Sequence, residues 1–495
     1  MNLELKTVPP IPVIRSDETV VRNRDSIMAA LSRAVPGLKV IVDEPGRRAF
    51  ETDALTAYRC PPLAVVLPAT TLEVSAIMRF CHEQQVKVVA RGAGTSLTGG
   101  ALPSADTILL GLSRMNRILD VNFETRTARV EAGITNLAVS GAAAAKDFFY
   151  APDPSSQLAC TLGGNIAMNS GGAHCLKYGV TTNNVLGVKM VMANGDIVEF
   201  GGDSLDPAGY DFLGLIVGSE GQFGVVTEAT VRILRMAEGA RPMLVGFPTA
   251  EAAGACVAAI IASGIIPVAI EYMDKPAIKV CEDFAHAGYP LDVEAMLIIE
   301  VEGSETEISA LLEQISVIAR QFEASTIRIS QSEEEAAAIW KGRKSAFGAL
   351  GRLSDYYCMD GVIPLGKLPE VLKASNRICE DYGLKVANIF HAGDGNLHPL
   401  IMFNANDPVE KQKAEDCGAD ILKLCVEAGG CLTGEHGVGI EKRDLMHVQF
   451  NAADLDQQMR VKKVFDPDWR LNPGKVFPLD AQKTFLESQA QNVDG

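Results

Sequence analysis

The apolar residues of "TTLEVSAIMRFCHEQQ" recur at Val74, Ile77, Met78 and Cys81, the three-and-four spacing of one helical face. A threonine opens the stretch and a glutamate stands in its first turn, so the pattern predicts a helix with a polar start. The flanking runs "PLAVVLP" and "VKVVA" are short and apolar and predict strands, the first ended by Pro68. A glycine-rich loop follows, and strands with turn signals then dominate as far as "FGVVTEATVRIL". From about Glu238 the texture changes. "PMLVGFPT", "AEAAGACVAAIIAS", "IPVAIEYMD", "AMLIIEVEG" and "EISALLEQISVIARQ" read as strand, helix, strand, strand, helix. That order suits an antiparallel sheet with helices on one face. From about Asp407 the chain reads as helical up to "FDPDWRLNPGKVFP", and the polar tail after Pro478 is expected to fray.

The most apolar stretch, Ala252 to Ile270, has the composition of a membrane span. Gly264 and Pro267 interrupt it, and "SGIIPVAIEYMD" reads as a turn and a strand, so a buried helix followed by a strand is expected. The first residues show no basic patch before an apolar stretch, so no signal peptide is expected. A length of 495 residues calls for two or three domains. A net charge of −17 argues against a nucleic-acid partner, which would require a basic footprint. The 11 cysteines are scattered and form no C-x-x-C pair, which suggests neither a zinc ribbon nor an iron–sulfur centre. Unpaired cysteines fit a reducing cytoplasm.

Three segments are rich in glycine and in hydrogen-bond donors. "ARGAGTSLTGG" follows a strand directly, "APDPSSQLACTLGGNIAMNSGG" carries two glycine pairs with Asn165 and Asn169 between them, and "GSEGQFGVVTEATVRI" leads into another strand. Glycines let backbone approach a ligand, and successive N–H groups make an anion nest. The first loop is neither a Walker loop nor the dinucleotide fingerprint, because Gly92-x-Gly94-x-x-x-x-Gly99 has the wrong spacing. Taken together, the three segments suit a large polar ligand such as a dinucleotide.

"FHAGDGNLHP" places His391 and His398 around an Asp-Gly/Gly-Asn turn between two apolar runs, a hairpin that can bring two imidazoles to one point. Further on, "LTGEHGVG" offers Glu435 and His436 between glycines. These two motifs hold three of the seven histidines of the chain. A single histidine is more simply a turn cap or a partner for a buried carbonyl. Two on a hairpin plus a Glu-His pair favour a metal site with open positions.

The three glycine-rich segments, in this order and followed by "YYCMDGVIP", "FHAGDGNLHP", "TGEHGVG" and "LNPGKVFP", resemble the FAD-linked 2-hydroxyacid oxidase and D-lactate dehydrogenase family. This family lies within the vanillyl-alcohol-oxidase/p-cresol-methylhydroxylase superfamily and includes the FAD-binding subunits of bacterial glycolate oxidase. The resemblance implies an α+β fold. It comprises a two-subdomain FAD-binding domain of the p-cresol-methylhydroxylase type, a ferredoxin-like antiparallel-sheet substrate (cap) domain and a helical C-terminal segment. The boundaries expected are 1–57 for an N-terminal helical segment, 58–237 for the FAD-binding domain, 238–420 for the cap, 421–478 for the C-terminal return to the flavin, and 479–495 for a tail. Arg91, Gly92, Ala93, Gly94, Thr95, Ser96, Gly99 and Gly100 would hold the FAD pyrophosphate. Pro152, Asp153, Cys160, Thr161, Gly164, Asn165, Asn169, Ser170, Gly171 and Gly172 would line the flavin and its ribityl chain, joined by Gly221, Val226 and Asn472. The first loop has no His or Cys, so the FAD is expected to be non-covalent.

By the same resemblance His391, His398 and Glu435 would bind a divalent metal, zinc or manganese. His436 would act as the base and Arg343 would bind the substrate carboxylate. Relatives that act on D-2-hydroxyglutarate carry a lysine where Cys358 stands, which favours a small substrate such as glycolate or D-lactate over a dicarboxylate. The implied partners are a second FAD-fold subunit and an iron–sulfur subunit, with peripheral association at the inner face of the cytoplasmic membrane. Three readings compete: a 2-hydroxyacid dehydrogenase (with a D-2-hydroxyglutarate-type variant), a metal hydrolase, and a non-catalytic FAD-fold subunit. The glycine loops weigh against the hydrolase and the intact histidine motif against the non-catalytic subunit.

Overall fold

The computed structural model describes residues 14–203 and 209–491. The described residues divide into two compact units: one built on 14–171, 179–203, 209–235 and 435–491, the other on 172–178 and 236–434.

The first unit holds two sheets. In the four-stranded one the order is Lys39–Ile41, Ala64–Leu67, Thr107–Gly111, Lys87–Arg91. Its last three strands are parallel and its first antiparallel. The helix Thr71–Glu83 covers it, and Val74, Ile77, Met78 and Cys81 are all buried as their spacing predicts. Its N-cap is Thr70, whose hydroxyl accepts from the Glu73 N–H, while the Glu73 carboxylate accepts from the Ala69 N–H. The five-stranded antiparallel sheet runs Ile118–Asn122, Thr127–Glu131, Val225–Arg232, Val185–Val191, Ile197–Gly201. Its apolar layer includes Ala128, Val130, Val188, Met190, Ala229 and Val231.

The second unit is built on an antiparallel sheet in which Thr326–Ile329, Gly239–Phe247, Ala295–Gly303, Ala269–Asp274 and Lys385–His391 are successive neighbours. The apolar stretch is a buried helix, Ala250–Ala262, followed by the strand Ala269–Asp274, as the break at Gly264 and Pro267 implies. No helix among the described residues is long and apolar enough to cross a membrane.

Two expectations are corrected. The sheet is covered on both faces. Leu297 and Ile299 pack with the helices Ala250–Ala262 and Glu305–Gln321, while Met296 and Ile298 pack with Lys275–Ala285 and Ile339 of Glu333–Lys344. A strand buried on both sides is a near-continuous apolar run, and "AMLII" shows that pattern. Within the stretch after Pro478, the described residues form the helix Leu479–Gln491 rather than a frayed tail, held where Phe485 is buried against the Trp469 ring, with ring centroids 5.8 Å apart.

The C-terminal return of the first unit depends on one buried ion pair. The Lys462 ammonium is 2.8 Å from Asp466 and also donates to the Gln222 and Leu471 carbonyls. Asp466 in turn accepts the N–H groups of Arg470 and Leu471. Removing one partner of such a pair strands the other charge away from water. Asp466→Ala is expected to cost about 3–5 kcal/mol, read as a lower urea midpoint than wild type; an unchanged midpoint contradicts this account.

Candidate functional site

In the second unit, Glu271 and His391 are directly opposed on the neighbouring antiparallel strands Ala269–Asp274 and Lys385–His391. Opposed residues project from the same face, so the two side chains meet, with His391 Nδ1 2.7 Å from Glu271 Oε1. The turn beyond His391 needs glycine at Gly395, where φ is +76° and a Cβ would stand 2.3 Å from the Ile363 carbonyl oxygen. The chain then reverses through Asn396–Leu397, and His398 comes back beside His391 with ring centroids 5.3 Å apart and planes nearly perpendicular. His398 Nδ1 donates to the Met359 carbonyl at 3.2 Å and lies 4.0 Å from Asp360 Oδ1. The other Asp360 oxygen accepts from the Thr433 hydroxyl and the Gly434 N–H. Both imidazoles are thus oriented through Nδ1, which makes Nε2 the nitrogen that would meet a metal.

Arg343 comes from the last turn of the helix Glu333–Lys344 and is 4% exposed. Its Nε and Nη2 both reach Glu271 Oε2, at 2.7 and 2.6 Å. Burial pushes the Glu271 carboxyl up, but Arg343 and His391 together outweigh burial and leave it below the usual carboxylate range. Cys358 is buried within the apolar cluster that contains Met273, Ile298 and Leu400.

In the first unit, the loop after the strand Lys87–Arg91 is partly open to solvent: Ala93 is exposed and Gly92, Gly94, Thr95 and Ser96 are half-buried. Gly92 must be glycine, because a Cβ there would lie 2.1 Å from the Thr161 hydroxyl. That hydroxyl caps the helix Leu162–Met168 at the Gly164 N–H, and Asn169 ends the helix in the left-handed conformation. Asn136 draws the second segment together by donating to the Pro152 carbonyl and to Asn165, which in turn donates to Cys160 Sγ. The carbonyl of Ser170 accepts from Thr181. Asn472 Nδ2 donates to the carbonyls of Gly100 and Glu220, so the C-terminal return joins the first and third glycine-rich segments beside Gly221. Val226 lies in the strand Val225–Arg232 opposite Met190.

The Arg91 guanidinium is turned inward: it donates to the Thr52 carbonyl at 2.7 Å and lies over the Phe50 ring. Asp153 is half-buried, and Gly172 begins the short segment that belongs to the other unit. The Glu435 carboxylate accepts from the Gly171 N–H at 3.1 Å, and the His436 carbonyl accepts from the Thr98 hydroxyl.

Four residues that matter here escaped the sequence reading. Glu271 and Asp360 sit inside "IEYMD" and "CMDGV", where a carboxylate amid apolar residues was the available signal. Glu220 is 7% exposed and accepts from the N–H groups of Val438 and Gly439, clamping the segment that follows His436. Burial raises the Glu220 carboxyl, and those N–H groups with Lys442 and Lys475 only partly offset this. Burial lowers Lys475 to about 7 despite Asp53 and Glu220, and its ammonium donates to the Gly100 carbonyl.

Residues 62–201 match the FAD binding domain family, and residues 237–476 match the C-terminal domain of FAD linked oxidases. The glycolate oxidase subunit GlcD of Escherichia coli (strain K12) is 49% identical over 457 residues, covering 92% of each chain. GlcD of Bacillus subtilis is 40% identical over 88% of this chain and 94% of its own. A D-lactate dehydrogenase of Archaeoglobus fulgidus is 34% identical, covering 86% and 94%. Among solved structures, p-cresol methylhydroxylase with substrate bound superposes with a TM-score of 0.76 at 15% identity, covering 94% of this chain and 97% of its own, which shows a common fold. The α+β architecture, the two family matches in this order and the near-full-length likeness to the E. coli subunit place the chain in the FAD-linked oxidase family that includes glycolate oxidase subunits and D-lactate dehydrogenases.

Proposed function

We propose that the chain oxidises a small 2-hydroxy acid, glycolate or D-lactate, to the 2-oxo acid, with FAD as hydride acceptor and a partner other than NAD taking the electrons. The observation that carries this reading is the pair of imidazoles at 5.3 Å, each oriented through Nδ1 by an internal acceptor. Such an arrangement suits a metal site, in a chain whose residues 62–201 match an FAD-binding family. A hydrolase reading has no use for an FAD domain, and a non-catalytic subunit has no use for oriented histidines.

His391 and His398, with Glu435, are the proposed ligands of a divalent metal, zinc or manganese. Such an ion supplies Lewis acidity, lowering the pKa of a substrate hydroxyl that it binds. His436 takes the hydroxyl proton in this reading. Arg343 receives the substrate carboxylate on the fork edge turned away from Glu271. FAD supplies the hydride acceptor. Arg91 to Ser96, Gly99 and Gly100 cradle its pyrophosphate; because Arg91 donates to Thr52, its contribution is to hold the loop and the backbone makes the nest. Cys358 adds no cation, which favours a monocarboxylate. Two relatives are glycolate oxidase subunits, which supports partner subunits for onward electron transfer; a second FAD-fold subunit, an iron–sulfur subunit and a place at the inner face of the cytoplasmic membrane complete the proposal.

Non-covalent FAD follows from a first loop without His or Cys. Acid precipitation should release the yellow colour to the supernatant, and colour kept in the pellet contradicts it. With an artificial dye as acceptor, kcat/KM should be higher for glycolate and D-lactate than for D-2-hydroxyglutarate or L-lactate. A clear preference for the dicarboxylate moves the assignment to the D-2-hydroxyglutarate type.

The two proposed sites should also separate. His391→Ala leaves Glu271 paired with Arg343, so the fold tolerates it. Metal content should fall sharply and the flavin spectrum should stay, with dithionite but not substrate bleaching it. His436→Gln should keep metal and flavin and slow anaerobic reduction by about 10²–10⁴. Wild-type metal content and reduction rate in His391→Ala would make the two hairpin histidines structural.

A further inference from the structure

Glu271 lies fully buried on the strand Ala269–Asp274 and touches two groups of different chemical purpose. One oxygen accepts from His391 Nδ1 at 2.7 Å, while the other takes the Nε and Nη2 edge of Arg343. A buried carboxylate with a single partner would serve stability alone, at a desolvation cost that an apolar pair avoids. This one is split between an imidazole and a guanidinium that arrive from separate elements, a strand end and a helix end.

We infer that Glu271 is a positioning residue that sets both the metal-binding and the carboxylate-binding groups of the proposed site from one side chain. The inference rests on the reading of His391 as a metal ligand. Through Oε1 it holds the imidazole as the Nδ1–H tautomer, so that Nε2 is the ligating nitrogen, and it raises the basicity of that nitrogen. Through Oε2 it occupies one fork edge of Arg343, which fixes the guanidinium plane and presents the Nη1 edge to an incoming carboxylate. A 2-hydroxy acid offers its hydroxyl and carboxylate on adjacent carbons. A shared anchor fixes the spacing between the two groups that grip them, which two independent anchors would leave to separate motions.

The test uses the holoenzyme and two variants. Glu271→Gln keeps the side-chain volume and removes the charge. Glu271→Asp keeps the charge but is one methylene too short to reach both partners. Manganese and zinc dissociation constants are measured by competition with a chromophoric chelator, alongside flavin content, urea midpoint and KM and kcat for glycolate. For both variants the metal dissociation constant should rise about 10–100-fold. KM for glycolate should rise roughly tenfold, the loss of a charge-assisted bond. Flavin content should stay at the wild-type level.

A measurement on the unmutated protein covers the case in which neither variant folds. With ¹⁵N-labelled histidine, the His391 signal, assigned by its loss in His391→Asn, should report the Nδ1–H tautomer; an Nε2–H tautomer overturns the inference. A folded Glu271→Gln with wild-type metal affinity and wild-type KM also overturns it while leaving the metal reading intact. Wild-type protein that binds neither ion overturns both together.

Discussion

A carboxylate cannot be taken out of water alone, and the second unit is arranged around one that has been. Glu271 is fully buried, and the cost of desolvating it is offset by the Arg343 guanidinium and the His391 imidazole. That requirement reaches outward. It fixes the register of the strands Ala269–Asp274 and Lys385–His391, because a slip of one residue would turn His391 to the other face. It also fixes where the helix Glu333–Lys344 must end, since Arg343 has to reach the sheet from its last turn. Asp360 does the same on a smaller scale, joining the neighbourhood of His398 to Thr433 and Gly434.

The other unit solves a different problem with the same physics. Three glycine-rich segments far apart in sequence have to be held as one surface although glycine contributes no side-chain packing. Buried polar groups provide the hold. Asn472 bonds to Gly100 and Glu220, Glu220 bonds to Val438 and Gly439, and Lys462 bonds to Asp466, Gln222 and Leu471. These clamps supply the rigidity that the glycines cannot, and some of the glycine N–H groups are themselves tied down, Gly164 to the Thr161 hydroxyl and Gly171 to the Glu435 carboxylate. The high share of buried charge near the C-terminal return follows from this division of labour.

Much of this was legible in the chain itself. Helical spacing at Val74, Ile77, Met78 and Cys81, the break at Gly264 and Pro267, and the turn signal in "AGDGN" each lead to the element observed, because each depends on residues within one or two turns of one another. The glycine loops and the two hairpin histidines could be singled out for the same reason, as short motifs whose chemistry is local. Tertiary structure decided the rest. Whether helices cover one face of the sheet or both depends on which elements return to it, and a polar C-terminal stretch becomes a helix only because Trp469 offers Phe485 a place to be buried. The inward turn of Arg91 toward Thr52 depends on a segment 39 positions earlier. Glu271 lies 120 positions before His391 and 72 before Arg343, so its apolar neighbours could single it out locally, but its partners are chosen by strand register and helix length.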